Sequence, residues 1–144
     1  MHLDFVIPGK PVPWDKARAR NGHIYKPPRL RAWQEKVRAA VFVAVNNKDA
    51  SGPFPVPKDM PVVLEITVFA KRPKGLPMSV HYDTRKPDAT NIQKGIEDAL
   101  TKLVYPDDAQ VVSPVTHKRF VQPGGEPHVR IRVWEAGHRP GMRG

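Results

Sequence analysis

The chain has 144 residues, 40% of them hydrophobic and 26% charged, and it carries a formal net charge of +10. That length suits one domain with a single modest core. No run approaches the roughly 18 apolar residues that a membrane span requires, and the absence of cysteine excludes disulfide scaffolds and thiolate catalysis. The excess of positive charge favours a polyanionic partner, most often nucleic acid.

The amino-terminal half predicts a strand, a basic loop and a helix. Residues 3–9 are mostly apolar and end in Pro-Gly, which is typical of a short strand closed by a turn. A Pro- and Arg-rich loop with an Asn-Gly turn follows, and apolar residues then recur at helical spacing over residues 29–46. Between Lys10 and Arg38 there are nine basic residues and two acidic ones, which predicts a surface facing phosphates.

The carboxyl-terminal half predicts one strand, one helix and two further strands. Residues 61–70 alternate as a half-buried strand does, and Thr90 opens a helix whose first turn reads as a capping box between Thr90 and Gln93. Strands at about 109–120 and 127–135 follow. The order β-α-β-α-β-β predicts a small single-domain α+β fold, a mixed sheet of about four strands covered by two helices. We assign residues 1–136 to this domain and residues 137–144 to a disordered basic tail.

Acidic residues are concentrated between positions 85 and 110, which hold five of the 14 in the chain. Hard divalent cations such as Mg²⁺ take one or two carboxylates, waters and substrate phosphates as ligands. A metal held in this way activates water and stabilises the charge that builds up on phosphorus. An acidic centre in a basic protein therefore indicates metal-dependent chemistry on a nucleic acid. The five residues are Asp88, Glu97, Asp98, Asp107 and Asp108.

The spacing of these residues permits one shared site and leaves alternatives open. Lys94 lies one turn into the second helix, so its ammonium can approach Asp88. A helix of about 14 residues carries the chain about 21 Å away from Asp88. Asp108 can therefore rejoin Asp88 only if the chain doubles straight back; a site shared at a dimer interface is the other possibility.

Each of these residues, taken singly, also suits a structural role. Asp88 and the adjacent Asp107 and Asp108 each follow a Pro-containing turn and could be turn residues. Lys94 alone is more often a solvated helix lysine. Asp98, four residues after Lys94, could pair with it on the helix surface. It is the joint pattern that indicates a catalytic site.

That joint pattern resembles a known family. KPDATNIQKGIEDAL followed by VYPDDAQVV is similar to the signature of the RusA-type Holliday-junction resolvases, in which D-x-D-N-x-x-K leads through D-A-L to D-D-x-Q. The opening IPGKPVPWDKARAR and the later YKPPRLRAW also resemble that family, so the resemblance covers almost the whole chain apart from the tail. It implies a small α/β homodimer that nicks two strands of a four-way DNA junction symmetrically, using Mg²⁺ or Mn²⁺, in recombination and repair.

The resemblance also implies roles for single residues. Asp88 and Asp108 match the first and last family aspartates and are the expected metal ligands and catalytic residues. Asp107 matches the partner of the final acid and is a third expected ligand. Lys94 matches the catalytically important lysine, and Asp98 matches the aspartate within the helix.

One position departs from the family pattern. Thr90 stands where a second aspartate is common, and a neutral hydroxyl leaves one negative charge missing at the metal. Thr90 then holds a metal-bound water, or Asp107 or an acid of the partner subunit compensates, or metal affinity is lower. Asn91 matches the family asparagine, and we expect both Thr90 and Asn91 around the metal ligands. A fourth outcome is a junction-binding protein with weak or no cleavage.

The basic residues of the two Pro-rich loops and of the first helix are the expected DNA contacts. With no secretory signal or membrane span visible, we expect a cytoplasmic, nucleoid-associated protein of phage or bacterial origin. A ribosome- or nucleoid-associated structural protein is a third reading, and it has no need of the acidic motif. The expected DNA contacts are Lys16, Arg18, Arg20, Lys26, Arg29, Arg31, Lys71, Arg72, Arg85 and Lys86.

Overall fold

The computed structural model describes residues 1–15, 18–20 and 23–141, and at residues 18–20, 23 and 24 it describes the backbone alone. In that part of the chain, no helix has the length and apolarity needed to cross a membrane. A 3₁₀ turn, Asp108–Gln110, precedes the fifth strand. The elements are β1 (His2–Pro8), β2 (Arg18–Arg20), β3 (His23–Tyr25), α1 (Pro28–Val45), β4 (Val62–Ala70), α2 (Ala89–Leu100), β5 (Val111–Phe120) and β6 (His128–Glu135).

The α+β prediction is confirmed, because four strands form one mixed sheet in the order β1-β6-β4-β5 and two helices accompany it. β6 is antiparallel to both β1 and β4, whereas β4 and β5 are parallel and α2 forms part of the connection between them. The predicted order gains a two-stranded hairpin, β2-β3, inside the basic loop. Its predicted Asn-Gly turn, residues 21 and 22, lies outside the described residues.

The core lies between the sheet and the helices, where the strand and helix periodicities predict it. Alternate residues of β4, such as Leu64 and Ile66, are fully buried, and Ile131 lies opposite Ile66 on β6. Helix α1 packs a stripe that includes Val37 against this face, and α2 contributes a stripe that includes Ile96. The sheet therefore fixes where α2 starts and ends, and these two ends carry the acidic motif.

The opposite face of the sheet carries charged side chains that pair across its strands. Asp4 on β1 accepts hydrogen bonds from Arg130 on β6 at 3.0 and 2.6 Å, and this contact holds the pKa of Asp4 below its usual value. Arg132 lies 3.5 Å from Glu65 on β4, and Glu65 lies 3.4 Å from His117 on β5. The domain thus has two layers, with both helices on one side.

The chain beyond β6 has no helix or strand over residues 136–141, and residues 142–144 lie outside the described part. The domain boundary at residue 136 and the disordered tail stay predictions.

Candidate active site and nucleic-acid interface

Asp88 is the residue from which helix α2 starts. Its main-chain carbonyl accepts hydrogen bonds from the amides of Asn91 and Ile92 at 3.1 and 3.2 Å, and its side chain makes no capping hydrogen bond. The carboxylate is 50% exposed and accepts a 2.6 Å hydrogen bond from the ammonium of Lys86. That hydrogen bond and the Lys86 charge lower the pKa of Asp88. At neutral pH the Asp88 carboxylate is therefore ionised, and it makes no hydrogen bond to the backbone amides of the helix.

The predicted capping box at Thr90 is wrong. Because Asp88 takes the cap position, the helix begins at Ala89 and Thr90 lies inside its first turn. The Gln93 amide donates to Glu97 at 3.0 Å instead of returning to the helix start. Asp88, two positions before Thr90, is an equally suitable residue type for the cap position, because Asp is found there as readily as Thr.

A cavity of about 410 Å³ lies beside Asp88. Part of its wall comes from the segment that follows β1, which is held against α2 by a 2.8 Å hydrogen bond from the Trp14 amide to the Asn91 carbonyl. Trp14 and Asp15 had no predicted role. Only their proximity in the folded chain to the start of α2 identifies them. The polar, charged and aromatic residues of the wall are Trp14, Asp15, Arg29, Lys86, Asp88 and Asn91.

Lys94 does not pair with Asp98 or with Asp88. Its ammonium lies 3.5 Å from the centroid of the Trp14 ring, a cation–π contact that holds a charge over an aromatic face. Trp14 lines the cavity at Asp88, so Lys94 contacts a residue of its wall without lining the cavity itself. Lys86 is the cation in contact with Asp88, and the approach of Lys94 to Asp88 stays a prediction.

Asp98 joins the two helices. It accepts hydrogen bonds from the Lys26 ammonium at 2.7 Å and from the Gln34 amide at 2.9 Å. Gln34 is buried, and it also donates to the Gly95 carbonyl at 2.9 Å and accepts from Lys26 at 2.9 Å. Burial alone would raise the pKa of Asp98, but the Lys26 and Gln34 hydrogen bonds outweigh it and lower the pKa. The ammonium of Lys26, an expected DNA contact, is thus engaged within the fold.

Gln34→Met should destabilise the protein by about 2 kcal/mol, because the volume is kept while three buried or half-buried partners lose a hydrogen bond. Urea unfolding measures this, with the exposed Gln122→Met as the matched control. Because the pKa of Asp98 is lowered in the folded protein, its ionised form stabilises the fold at any pH above the ordinary aspartate pKa of 3.8. That stabilisation is lost as pH falls through the folded pKa, so the gap between wild type and Gln34→Met should narrow in acid. An equal loss for both substitutions would contradict the assignment.

The second acidic pair lies at the other end of α2. The Asp107 carboxylate accepts a 2.9 Å hydrogen bond from the Ala109 amide, and the side-chain oxygen of Gln110 accepts a 3.2 Å hydrogen bond from the Asp107 amide. Asp107 therefore caps the 3₁₀ turn. Asp108 is exposed, and its charge acts on Glu97, whose pKa is raised chiefly by burial and also by Asp108.

Asp88 and Asp108 do not meet within one chain. Asp88 precedes α2, whose 12 residues are about 18 Å long, whereas Asp108 lies by Glu97 near its end. The position of β5 also indicates that the two aspartates are far apart. Asp108 precedes the strand, whereas Lys118, which lies about 23 Å along it, lowers the pKa of Asp88. Among the described residues, no group of three or more acidic or His side chains could hold a metal.

A second, larger cavity of about 580 Å³ adjoins the first, because Lys86 and Pro87 line both. It collects four of the expected DNA contacts, Lys71, Arg72, Arg85 and Lys86. Three further cations were not among the expected DNA contacts: Lys74 lies in the same loop as Lys71, Lys10 follows β1, and Lys118 lies on β5. The basic residues of its wall are Lys10, Lys71, Arg72, Lys74, Arg85, Lys86 and Lys118.

Internal contacts fix part of this basic wall. Asp83, an acid in the same wall, binds Arg85 at 2.9 Å. Burial would raise the pKa of Asp83, but the Arg85 hydrogen bonds outweigh it and lower the pKa. The guanidinium groups of Arg72 and Arg85 both lie over the Phe120 ring, at 5.6 and 5.2 Å from its centroid, and Lys118 donates to the Arg85 carbonyl. These contacts hold the cations in place before any ligand binds.

The other expected DNA contacts are distributed differently. Arg29 lines the cavity at Asp88, and Arg31 is exposed on α1. Lys16 lies outside the described residues, as do the side chains of Arg18 and Arg20. All of these assignments stay predictions.

The Val-rich strand segments around residues 111–115 and 129–134 are candidates for a dimer interface by sequence, and they differ in exposure. Val129, Ile131 and Val133 are fully buried in the core, so β6 is not an interface strand. On β5, an edge strand of the sheet, Val112 is 56% and Val115 40% exposed.

Comparison with known proteins gives two results. The profile of the family described as endodeoxyribonuclease RusA matches residues 8–134, which include both cavities and both ends of α2. The uncharacterized protein YqaN of Bacillus subtilis (strain 168) is 27% identical over 139 residues, which cover 92% of this chain and 96% of that protein.

Proposed function

The chain belongs to the RusA endodeoxyribonuclease family, and from that premise we propose that it resolves four-way DNA junctions by metal-dependent, paired and symmetric nicks. The observation that carries this proposal is the ionised Asp88 carboxylate in a cavity whose wall also holds Arg29 and Lys86 and which adjoins a larger, basic cavity. The basic walls suit the phosphates of the strand, and the carboxylate suits a metal at the bond to be cut.

Oxygen donors around Asp88 fit a hard divalent cation. The cavity at Asp88 offers two carboxylates, those of Asp15 and Asp88, and the amide oxygen of Asn91. Mg²⁺ is usually held by one or two carboxylates together with waters and substrate phosphates, so this set suffices for Mg²⁺ or Mn²⁺. When bound, the metal lowers the pKa of a coordinated water and counters charge on phosphorus. Thr90 would act as a neutral neighbour of these ligands.

Lys86, which contacts Asp88, and Lys94, which contacts Trp14, differ in how firmly they are held. Lys86 is 86% exposed, so it can exchange its carboxylate partner for a phosphate at little cost. Lys94, held over Trp14, is the fixed cation, and a positive charge already in place stabilises charge that develops in the transition state. We assign Lys94 to catalysis and Lys86 to holding the strand.

The separation of Asp88 and Asp108 favours a homodimer with shared sites. If both are ligands of one metal, Asp108 must come from the partner subunit, because α2 keeps them apart within a chain. A two-fold dimer would supply two such sites, one for each of two opposed nicks. Val112 and Val115 on the β5 edge are two of the exposed apolar residues available for that interface.

A junction-binding protein with weak or no cleavage is the second candidate, favoured by Thr90 in place of an acid. Incubation with a synthetic four-way junction, with and without Mg²⁺ or Mn²⁺, separates the two. Paired, symmetric, metal-dependent nicks support the nuclease; tight binding without nicks supports the second candidate. Equal affinity for linear duplex would point to a structural DNA-binding protein and contradict both.

Removing two cations of the larger cavity should flatten the salt dependence of junction binding. A lysine that no longer binds a phosphate lowers the slope of log affinity against log salt by about one, so Lys71→Ala with Lys74→Ala should lower it by about two. Lys48→Ala with Arg139→Ala removes the same net charge away from the residues that line either cavity. The slope of this control should stay near that of wild type; equal slopes in both double variants would refute a local phosphate site.

A further inference from the structure

The larger cavity has a feature that phosphate binding alone does not need. Besides its basic residues, which we call the rim, the wall has an apolar part that includes residues from the end of β4 and the start of α2. Val68 and Ile92 are core residues that reach this wall, and Ala70 lies beside them at the last position of β4. A backbone phosphate takes charge and hydrogen bonds, whereas an apolar wall in a concave site takes a flat or aliphatic group.

The size and polarity together match one ligand class. A volume of about 580 Å³ lies within the roughly 300–1,000 Å³ of cavities that enclose small molecules. A nucleotide unit has an apolar-faced base at one end and a phosphate at the other, as this wall has an apolar part and a cationic rim. A base paired within a duplex is stacked on both faces and cannot enter such a cavity.

We propose that this cavity takes a single unpaired nucleotide of the DNA strand, with its base against Val68, Ala70 and Ile92 and its phosphates on the rim. The inference rests on the proposed function and deepens it by naming what distinguishes a junction from a duplex. Unpairing a base costs least where pairing is already interrupted, and strands exchange partners at a branch point. The cavity would thereby distinguish a branched DNA from a duplex of the same charge.

The rim is prepared for this ligand. Lys10, Lys71 and Lys74 have no ion pair with a carboxylate of the described residues. The guanidinium of Arg72 is held at the rim by its contact with the Phe120 ring and by a 3.2 Å hydrogen bond that it donates to the Pro77 carbonyl.

The position of the cavity relates the nucleotide to the bond that is cut. Lys86 and Pro87 separate it from the cavity that contains Asp88. A strand that leaves one nucleotide in the larger cavity would therefore run past Lys86 towards Asp88. Holding one nucleotide in this way would fix which phosphate reaches the metal, which is a positioning role.

A first experiment uses small ligands and does not depend on DNA cleavage. The probes are a deoxynucleoside monophosphate, deoxyribose 5-phosphate and inorganic phosphate, titrated by calorimetry or NMR. A base packed on the apolar wall should make the monophosphate bind about tenfold more tightly than the sugar phosphate. Ala70→Leu fills the apolar part without changing charge and should remove this difference; Ala70→Ser, which fills nothing, should keep it. Equal affinity of the three probes for wild type would overturn the proposal.

A second experiment tests whether the nucleotide belongs to the junction strand. Junctions carrying 2-aminopurine at single positions are bound by the Asp88→Asn protein, and fluorescence is followed because it rises when the base leaves the stack. A rise at a branch-point position that Ala70→Leu abolishes and Ala70→Ser keeps would support the proposal. Monophosphate binding without any such rise would assign the cavity to a free nucleotide and overturn it. No rise at any position, with junctions still nicked by the wild-type protein, would refute the inference and leave the nuclease proposal intact.

Discussion

Asp88→Asn should abolish metal-dependent nicking of a four-way junction while the protein binds that junction as tightly as before or more tightly. The substitution keeps the shape of the side chain and removes the charge that a divalent cation requires. Loss of a group that stabilises the transition state costs about a hundredfold to a thousandfold, and loss of a metal ligand should cost at least as much. Binding should not weaken, because a negative charge near DNA phosphates is removed.

The control for this prediction is Asp49→Asn, which makes the same change at an exposed aspartate in the connector after α1. Single-turnover nicking is measured with protein in excess, and junction affinity is measured in Ca²⁺ or without metal. Calorimetric titration of Mn²⁺ adds a readout that does not depend on cleavage. Nicking by Asp88→Asn at the wild-type rate would remove Asp88 from the metal site, whatever its effect on binding.

The elements with strong periodicity could be predicted from the sequence, and the caps and contacts could not. The alternation of β4 and the apolar stripe of α1 come from local chemistry, so their bounds were found within one residue, whereas α2 has 12 residues instead of the roughly 14 expected. The start of α2 was misplaced because Asp88 and Thr90 are both good cap residues, and the difference between them depends on the preceding loop.

Contacts between distant segments decided the roles that the sequence left open. Asp98 lies one helical turn from Lys94, and the local rule predicts that they pair. Asp98 instead accepts hydrogen bonds from the Gln34 amide and from the ammonium of Lys26, which is 72 residues away in the chain. Lys94 instead contacts Trp14. Periodicity cannot reveal either choice, because both are made by the packing of α1 and of the segment after β1 against α2.

The basic cavity illustrates the same limit. The predicted contacts Lys71, Arg72, Arg85 and Lys86 belong to one loop and were identified by local charge density. Lys10 and Lys118 join them because β1, β4 and β5 run in the same direction, so that their carboxyl ends lie at the same end of the sheet. The apolar wall was equally hidden, since its residues follow the ordinary pattern of a core.

Asp108→Asn should also abolish nicking, and mixing it with Asp88→Asn should restore part of the activity. Suppose that each site takes Asp88 from one subunit and Asp108 from the other. In a mixed dimer of the two variants, one site then carries both substitutions and the other carries none. About half of the dimers in an equal mixture contain one chain of each variant, and each of these has one intact site. The mixture therefore has about a quarter as many intact sites as the same amount of wild-type protein. Each mixed dimer would cut one strand, and the product is a nicked junction that is not resolved.

The reciprocal mixture gives the opposite result and serves as the control. Wild type is mixed with a chain carrying both Asp88→Asn and Asp108→Asn. If the sites are shared, every site of a mixed dimer has one substituted ligand and wild-type activity falls. If each site lies within one chain, the wild-type subunit keeps its own site, and the first mixture shows no recovery. Chains that do not exchange would give neither recovery nor inhibition, and light scattering shows beforehand whether a dimer exists. A site within one chain would require α2 or the segment before Asp108 to rearrange on metal binding, because about 18 Å of helix otherwise lies between the two carboxylates.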